Sequence, residues 1–261
     1  MKEILKTRKA KLSVSIIASN EEVNIKRCLE SVKSMADEIV LVYNDTYDST
    51  VRISREYGAS CYEVKWQGYR DQKNISLLKT SNQWVLCLDA DEEVSPELRD
   101  SIKETLTHER LDDYNGYYFN RCTFFLGRWI KHGDWYPDKK LRLVKKTKSE
   151  WRGNNEHEKL FANGKVKHLD GDLLHYSYPT MKSLISKIPH FSHFYLEREI
   201  IKGGSFKLSN VLIRPPWRFI RAYFLKLGFL DGFPGFFIAV STAFSTFFKY
   251  SQIFEIKFKN K

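Results

Sequence analysis

Hydrophobic and polar positions follow two alternating rhythms over the first 110 or so residues. Leu12 to Ala18 (LSVSIIA) is a continuous β-branched apolar run, the mark of a buried strand. Ser19-Asn-Glu-Glu22 has the form of a capping box. Ile25, Cys28, Leu29 and Val32 then recur at helical spacing on one face. Ile39 to Tyr43 predicts a second strand, Asp48 to Tyr57 a helix closed by Gly58, and Cys61 to Val64 a weaker third strand. Gln72 to Lys79 reads as helix and Trp84 to Leu88 (WVLCL) as a fourth strand. Ser95-Pro96 reads as an N-cap and first turn ahead of Leu98, Ile102 and Leu106. Strand and helix alternating at this spacing predict an α/β fold, a largely parallel sheet with right-handed crossovers. Ligands of such sheets sit beyond the carboxyl ends of the strands, where Asn20, Asn44, Asp45, Asp89 and Asp91 all fall.

The rhythm changes after that point. Residues 114–178 hold short aromatic segments and turns, read as strands and loops covering the sheet edge. The last 60 or so residues change again: 11 of the 18 phenylalanines lie between Phe219 and Phe258. Arg214, Arg218, Arg221 and Lys226 interleave with Trp217, Phe224 and Leu225, the pattern of a helix lying in a membrane interface. Gly232 to Phe248 carries no charge over 17 residues, but Pro234 stands near its start. A re-entrant or interfacial segment therefore fits better than a clean transmembrane helix, and a buried core hairpin is the competing reading. The expected division is a catalytic-type α/β domain over 1–205 and a membrane-associated helical tail over 206–261.

Composition narrows the partners. Of 261 residues 42% are hydrophobic, enough for a core, and 43 Lys and Arg against 32 Asp and Glu leave a net charge of +11. That balance implies an anionic partner, whether nucleic acid, membrane surface or phosphorylated substrate. No helix-turn-helix, zinc-finger or RNA-recognition pattern accompanies the charge, so a non-catalytic nucleic-acid- or membrane-binding protein is the weaker alternative. The four cysteines form no CxxC pair and sit in apolar contexts, as in a reducing compartment. The opening MKEILKTRKAK has no apolar run of signal-peptide type.

Three segments offer chemistry. Asp89-Ala-Asp91 leaves a strand with two carboxylates at i, i+2, able to point the same way and to hold Mg²⁺ or Mn²⁺ with a nucleotide's phosphates. Asn154-Asn-Glu156-His157-Glu158 can supply a general base, although a plain loop is the simpler account. His132, Asp134, Tyr136 and Asp138, followed by Arg142, mix rings, acids and a guanidinium as a polyol phosphate site does, and as edge packing does equally. His175 ends an apolar run, where a lone histidine is more often structural.

Taken together, SVSIIASNEEVNIKRCLESV, GYRDQKN, WVLCLDADEEVSPEL, HGDWYPDKKLRL, NEHEKL and GDLLHYSYPT resemble the family 2 glycosyltransferases of GT-A fold, in particular the lipopolysaccharide-core glucosyltransferases of the WaaE/LgtF type. The resemblance spans nearly the whole chain. It implies a Rossmann-like sheet with helices on both faces. The implied reaction is inverting transfer of a hexose, glucose foremost, from a UDP-sugar to a lipid-linked glycan such as the lipopolysaccharide inner core. By the resemblance Asp91, with Asp89, would hold the metal and diphosphate, with His175 assisting. Lys73 would sit near the nucleotide, Asn20 and Glu22 at its edge, and Glu158 would deprotonate the acceptor. The segment VYNDTYDST departs from the family: Tyr43 and Asn44 stand where an acid is usual, and Asp45 is the carboxylate left to compensate. The place of work it implies is the cytoplasmic face of the inner membrane, peripheral or monotopic, with transfer to polyprenyl phosphate or another cell-surface glycan as the alternative.

Overall fold

A computed structural model describes residues 10–154, 158–189, 192 and 206–259. They form two compact units: one holds residues up to 121 together with 138–175, the other 122–137 with those from 176 onward. The second unit thus takes 122–137 out of the stretch that the sequence reads as one domain ending at 205.

The first unit opens with four parallel strands joined by helices: β1 (Leu12–Ala18), α1 (Glu22–Val32), β2 (Glu38–Tyr43), α2 (Thr50–Glu56), β3 (Ser60–Glu63), α3 (Tyr69–Lys79) and β4 (Trp84–Asp89). A short strand β5 (Glu92–Val94) and helix α4 (Pro96–Thr107) follow, then β6 (Gly116–Phe125), whose last residues and the next strand β7 (Arg128–Ile130) belong to the second unit, and β8 (Asp138–Lys145), β9 (Ser149–Arg152), β10 (Lys159–Ala162) and β11 (Val166–His175). The main sheet runs β3-β2-β1-β4-β8-β6-β11-β5. Residues 114–178 therefore do not cover the sheet edge as the sequence suggested. β8 pairs antiparallel with β4, β6 with β8, and β11 with β5, so they extend the sheet, while β9 and β10 form a separate ribbon.

Alternation along the strands builds a core on each face. Trp84, Leu86 and Leu88 of β4 join Leu12, Val14 and Ile16 against α1 and α4, while Val85 and Cys87 meet Leu77, Trp151 and Leu160 on the other side. Between β1 and α3 the contact is polar and close. Ser15 and Ser76 hydroxyls are 2.7 Å apart, and Ser76 donates to the Ile16 carbonyl, so both of these buried hydroxyls are paired.

Caps decide where several elements stop. Gly58, at φ +79°, ends α2 in a Schellman arrangement, its N–H on the Arg55 carbonyl and that of Ala59 on Ser54. Ser95 Oγ accepts from Leu98 N–H and Pro96 opens α4, as expected. The capping box at Ser19–Glu22 does not form. Asn20 adopts a left-handed φ of 56°, and α1 starts at Glu22 with no side-chain cap from its preceding residue. Thr50 and Asp48 take up the N–H groups of Glu21 and Glu22 from the neighbouring loop instead.

The second unit contains α5 (Met181–Ser186), α6 (Leu208–Ile220), a π-helical turn over Arg221–Leu225 and α7 (Gly232–Lys259). Its core joins Phe125, Ile130, Leu184 and Ile238, with Trp135 stacked on Tyr178. Asp231, 1% exposed, accepts from the N–H groups of Lys131 and His132 and ties the β7 end to the start of α7. The charge-free stretch 232–248 lies inside α7, with Pro234 in its first turn. Among the described residues no single helix is long and apolar enough to cross a membrane. Leu208–Leu225 and Gly228–Ile256, bent by 72°, reach that measure only as a pair.

Candidate active site

The carboxyl end of β4 carries a knot of charge. Asp89, its last residue, has one carboxylate oxygen 2.8 Å from Lys73 Nζ of α3 and the other 2.7 Å from Arg142 Nη2 of β8. The same Arg142 nitrogen lies 2.7 Å from Glu92 Oε1, and Glu92 Oε2 accepts the Asp89 N–H. Lys73 also reaches Glu158 Oε1, at 2.7 Å. Arg121 of β6 bridges Glu92 (3.5 Å) and Asp138 (2.9 Å), and Lys140 joins Asp138 as well. The Trp151 ring lies against both central cations, 4.6 Å from Lys73 Nζ and 5.3 Å from the Arg142 guanidinium carbon.

Strand pairing explains the convergence. Leu86 pairs with Leu143, which sets Arg142 beside the end of β4. α3 crosses β1 at the Ser15–Ser76 contact and so carries Lys73 to the same place. Burial alone would raise the Asp89 carboxyl, but Lys73 and Arg142 outweigh it and hold it well below the usual carboxylate range. Burial likewise disfavours the charged Lys73, yet Asp89 and Glu158 keep its pKa above the ordinary lysine value. Burial pushes the nearby Cys87 thiol up to about 12, so it stays protonated and inert.

Asp91 lies on the turn beyond Asp89. β5 pairs with β11 so that His175 sits opposite Glu92, which brings His175 Nε2 to 3.3 Å from Asp91 Oδ2. His175 Nδ1 is buried without a hydrogen-bond partner among the described residues. An imidazole nitrogen and a carboxylate oxygen side by side suit one cation of the Mn²⁺ or Mg²⁺ class. No cluster of three or more His, Cys, Asp or Glu ligands occurs among the described residues. Among the described residues Asp91 and His175 are thus a pair that could share such an ion, with a diphosphate to complete its shell.

The loops after β1 and β2 lock together nearby. Asn20 Oδ1 accepts from Tyr47 N–H and its amide donates to the Asp45 carbonyl, while Glu22 accepts from Ser49 N–H. Asn44 donates to Asp45 Oδ2 at 3.5 Å. Asn20, Glu22 and Asp45 are exposed along the carboxyl edge of the sheet.

The residues expected to hold an acceptor divide between the units. Asp138 and Arg142 belong to the knot of the first. In the second, His132 pairs with Asp231 at 3.1 Å, and Asp134 is met by Arg221, Lys226 and Arg218. Tyr136 precedes the cis proline Pro137. Asn155, Glu156 and His157 lie outside the described residues. The sequence did not single out Glu92, Arg121 or Trp151. Glu92 was legible as the third acid of DADE, whereas nothing local marks the other two.

Comparison with known proteins identifies the family. The model of the Glycosyl transferase family 2 matches residues 13–164, from β1 through the β9–β10 ribbon. Uncharacterized glycosyltransferases of Rickettsia typhi and Rickettsia prowazekii are 30% and 31% identical, each over 96% of this chain and 89% of the relative. Lipopolysaccharide core biosynthesis glycosyltransferase LpsC of Rhizobium meliloti is 27% identical over 95% of this chain and 93% of its own. Among solved structures, glucosyl-3-phosphoglycerate synthase from Mycobacterium tuberculosis is similar over 45% of each chain, at 20% identity and a TM-score of 0.36.

Proposed function

Because the chain belongs to glycosyl transferase family 2, we propose that it moves a hexose, glucose foremost, from a UDP-sugar to a membrane-held glycan of the lipopolysaccharide inner-core kind, with inversion at the anomeric carbon. The observation that carries the reading is the paired arrangement at the end of β4: Asp89 between two buried cations, with Asp91 and His175 adjoining. The lipopolysaccharide core relative supports the acceptor class.

In this reading Asn20, Glu22 and Asp45 border the nucleotide, and Lys73 and Arg142 meet its phosphates. Asp91 and His175 would hold a divalent cation of the Mn²⁺ or Mg²⁺ class, which when bound neutralises the diphosphate leaving group. Glu158, held by Lys73, accepts the proton of the acceptor hydroxyl. That oxygen forms a bond to the anomeric carbon as the bond to the diphosphate breaks, and the electron pair leaves with the diphosphate. Positioned cations give most of the acceleration, because they meet charge where it develops.

The second unit supports work at a membrane surface. Leu212, Ile213, Trp217, Phe233 and Phe244 are all exposed, Trp217 to 52%, and Arg214 and Arg218 lie among them on α6. An aromatic, basic, exposed helical face of this kind seats at the headgroup level. We place the protein on the cytoplasmic face of the inner membrane, as a peripheral or monotopic protein.

A donor screen tests the reading. UDP or GDP release from a panel of nucleotide sugars is measured in detergent, with and without Mn²⁺ or Mg²⁺ and with candidate acceptors. UDP-glucose turnover that needs the cation and a lipid-linked glycan is expected. Absence of turnover with every nucleotide sugar would remove the reading.

A further inference from the structure

Two adjoining hollows in the second unit, of about 240 and 310 Å³, share Arg218, Thr246 and Lys249 in their walls. Among the described residues the charged side chains in their walls are Arg218 and Lys249 in both and Arg214 in the second. Asp134, the carboxylate that Arg218 meets at 3.4 Å, also meets Arg221 and Lys226, so one negative charge faces three positive ones. The floor is a row of hydroxyls from α7, Ser241, Thr242, Ser245 and Thr246, and Trp135 and Tyr178 form a wall. Thr246 donates to the Thr242 carbonyl.

The row follows from the phase of α7. At about 100° per residue, positions 238, 241, 242, 245, 246 and 249 share one side of the helix. The exposed Phe233, Phe236, Val240, Phe244 and Phe247 fall on the opposite side. One side is therefore aromatic and open, the other hydroxyl-lined and cationic. Leu184, Ile188 and Ile238 add apolar wall to the first hollow, so a purely apolar ligand would leave the hydroxyls and cations of that side without partners. A ligand with several anionic oxygens gains charge-assisted hydrogen bonds from the cations and neutral ones from the hydroxyls, with a ring surface beside them.

We propose that this hollow binds a phosphate ester, carried either by a sugar of the acceptor glycan or by a phospholipid headgroup. That an acceptor is its bearer rests on the glycosyltransferase reading; that the hollow takes phosphate does not.

The full chain is titrated with glucose 6-phosphate and, separately, glucose, followed by ³¹P line width for the first and ligand-observed proton NMR for both. Co-sedimentation with phosphatidylglycerol and with phosphatidylcholine vesicles forms the lipid arm. Lys249→Gln is expected to weaken phosphate binding about tenfold and Ser245→Ala about threefold, with Lys249→Arg within about twofold of wild type. Lys182→Gln removes the same charge from an exposed position outside the hollow and is expected to leave binding unchanged. Circular dichroism checks each fold, and Ser245→Ala carries the test if Lys249→Gln does not fold. Loss of glucose 6-phosphate binding in the hollow variants identifies a sugar phosphate. Loss confined to the phosphatidylglycerol preference, with Lys182→Gln unaffected, identifies a headgroup. Equal binding by wild type and the hollow variants in both arms overturns the proposal, and so does equal affinity for glucose and glucose 6-phosphate when the phosphatidylglycerol preference is also unchanged in the variants. Donor turnover is not read in this test, so its result stands whether or not the donor screen succeeds.

Discussion

Replacing Arg142 by Met separates the structural worth of the charge knot from its chemistry. One guanidinium nitrogen serves two carboxylates, Asp89 and Glu92, each at 2.7 Å. Removing one partner of a buried pair costs about 3–5 kcal/mol, because the other charge is left without compensation. Here both acids keep something. Asp89 retains Lys73 and has 26% of its side chain open to water; the fully buried Glu92 side chain retains Arg121 at 3.5 Å and the Asp89 N–H. The lower end of the range therefore applies, about 3 kcal/mol. For a chain of this size that corresponds to a fall in Tm of about 6–12 °C. Urea unfolding followed by far-ultraviolet circular dichroism measures the loss in Arg142→Met, in Asp89→Asn and in the double variant. Because the residues touch, the two single losses should exceed the double loss by at least about 1 kcal/mol. Additive losses, or an Arg142→Met protein as stable as wild type, would refute the claim that this contact holds the end of β4 in place.

Glu158→Gln keeps the side-chain shape and an oxygen for Lys73 but cannot take a proton. It is expected to lower kcat about 100-fold or more with the Tm little changed, as steady-state kinetics and a melting curve would show; full turnover would reassign the base. Asp91→Asn should abolish transfer in a folded protein, and wild-type activity at subsaturating Mn²⁺ would remove Asp91 from the cation's ligands. Asp89 has a depressed folded pKa, so the unfolded chain binds more protons once the pH drops past about 4. Its contribution is complete above that value and is lost in acid. The stability of wild type should therefore fall more steeply than that of Asp89→Asn between about pH 5 and 2. Gly171, at φ +96° in β11, would place a Cβ 2.3 Å from Leu98 N and 2.5 Å from its Cα. Gly171→Ala should cost about 3 kcal/mol, read as a lowered urea midpoint, and an unchanged midpoint would show that α4 can move away.

The parallel half of the sheet was legible because strands buried on both faces are written as unbroken apolar runs. Leu12–Ala18 and Trp84–Asp89 match their runs to within a residue. The antiparallel half was not. β6 and β8 carry charged residues such as Arg121 and Arg142 within the strand itself, and β5 is three residues long, too short for any period to show. The Ser19–Glu22 pattern misled because a cap is a contest between partners. Thr50 and Asp48, near in space and distant in sequence, won the N–H groups. The acids of the site were visible as a string and Glu158 within a segment able to supply a base, but the role of Glu158 and the place of Lys73 came only through a family resemblance. Their meeting across 85 positions depends on α3 and on the return of the chain past β9, which no local pattern encodes.

The three-residue strand Glu92–Val94 works as a ruler. Its ladder with Leu173–His175 sets the side of the sheet on which Glu92 is buried and the point at which Asp91 meets the imidazole. Successive strand residues face opposite ways. One extra residue between Asp91 and Glu92 would turn that glutamate outward, strip Asp89 N–H of its acceptor and slide His175 out of step. The string DADE is therefore a measured length as much as a set of acids, and drift in its spacing would disarm the site even with every carboxylate kept.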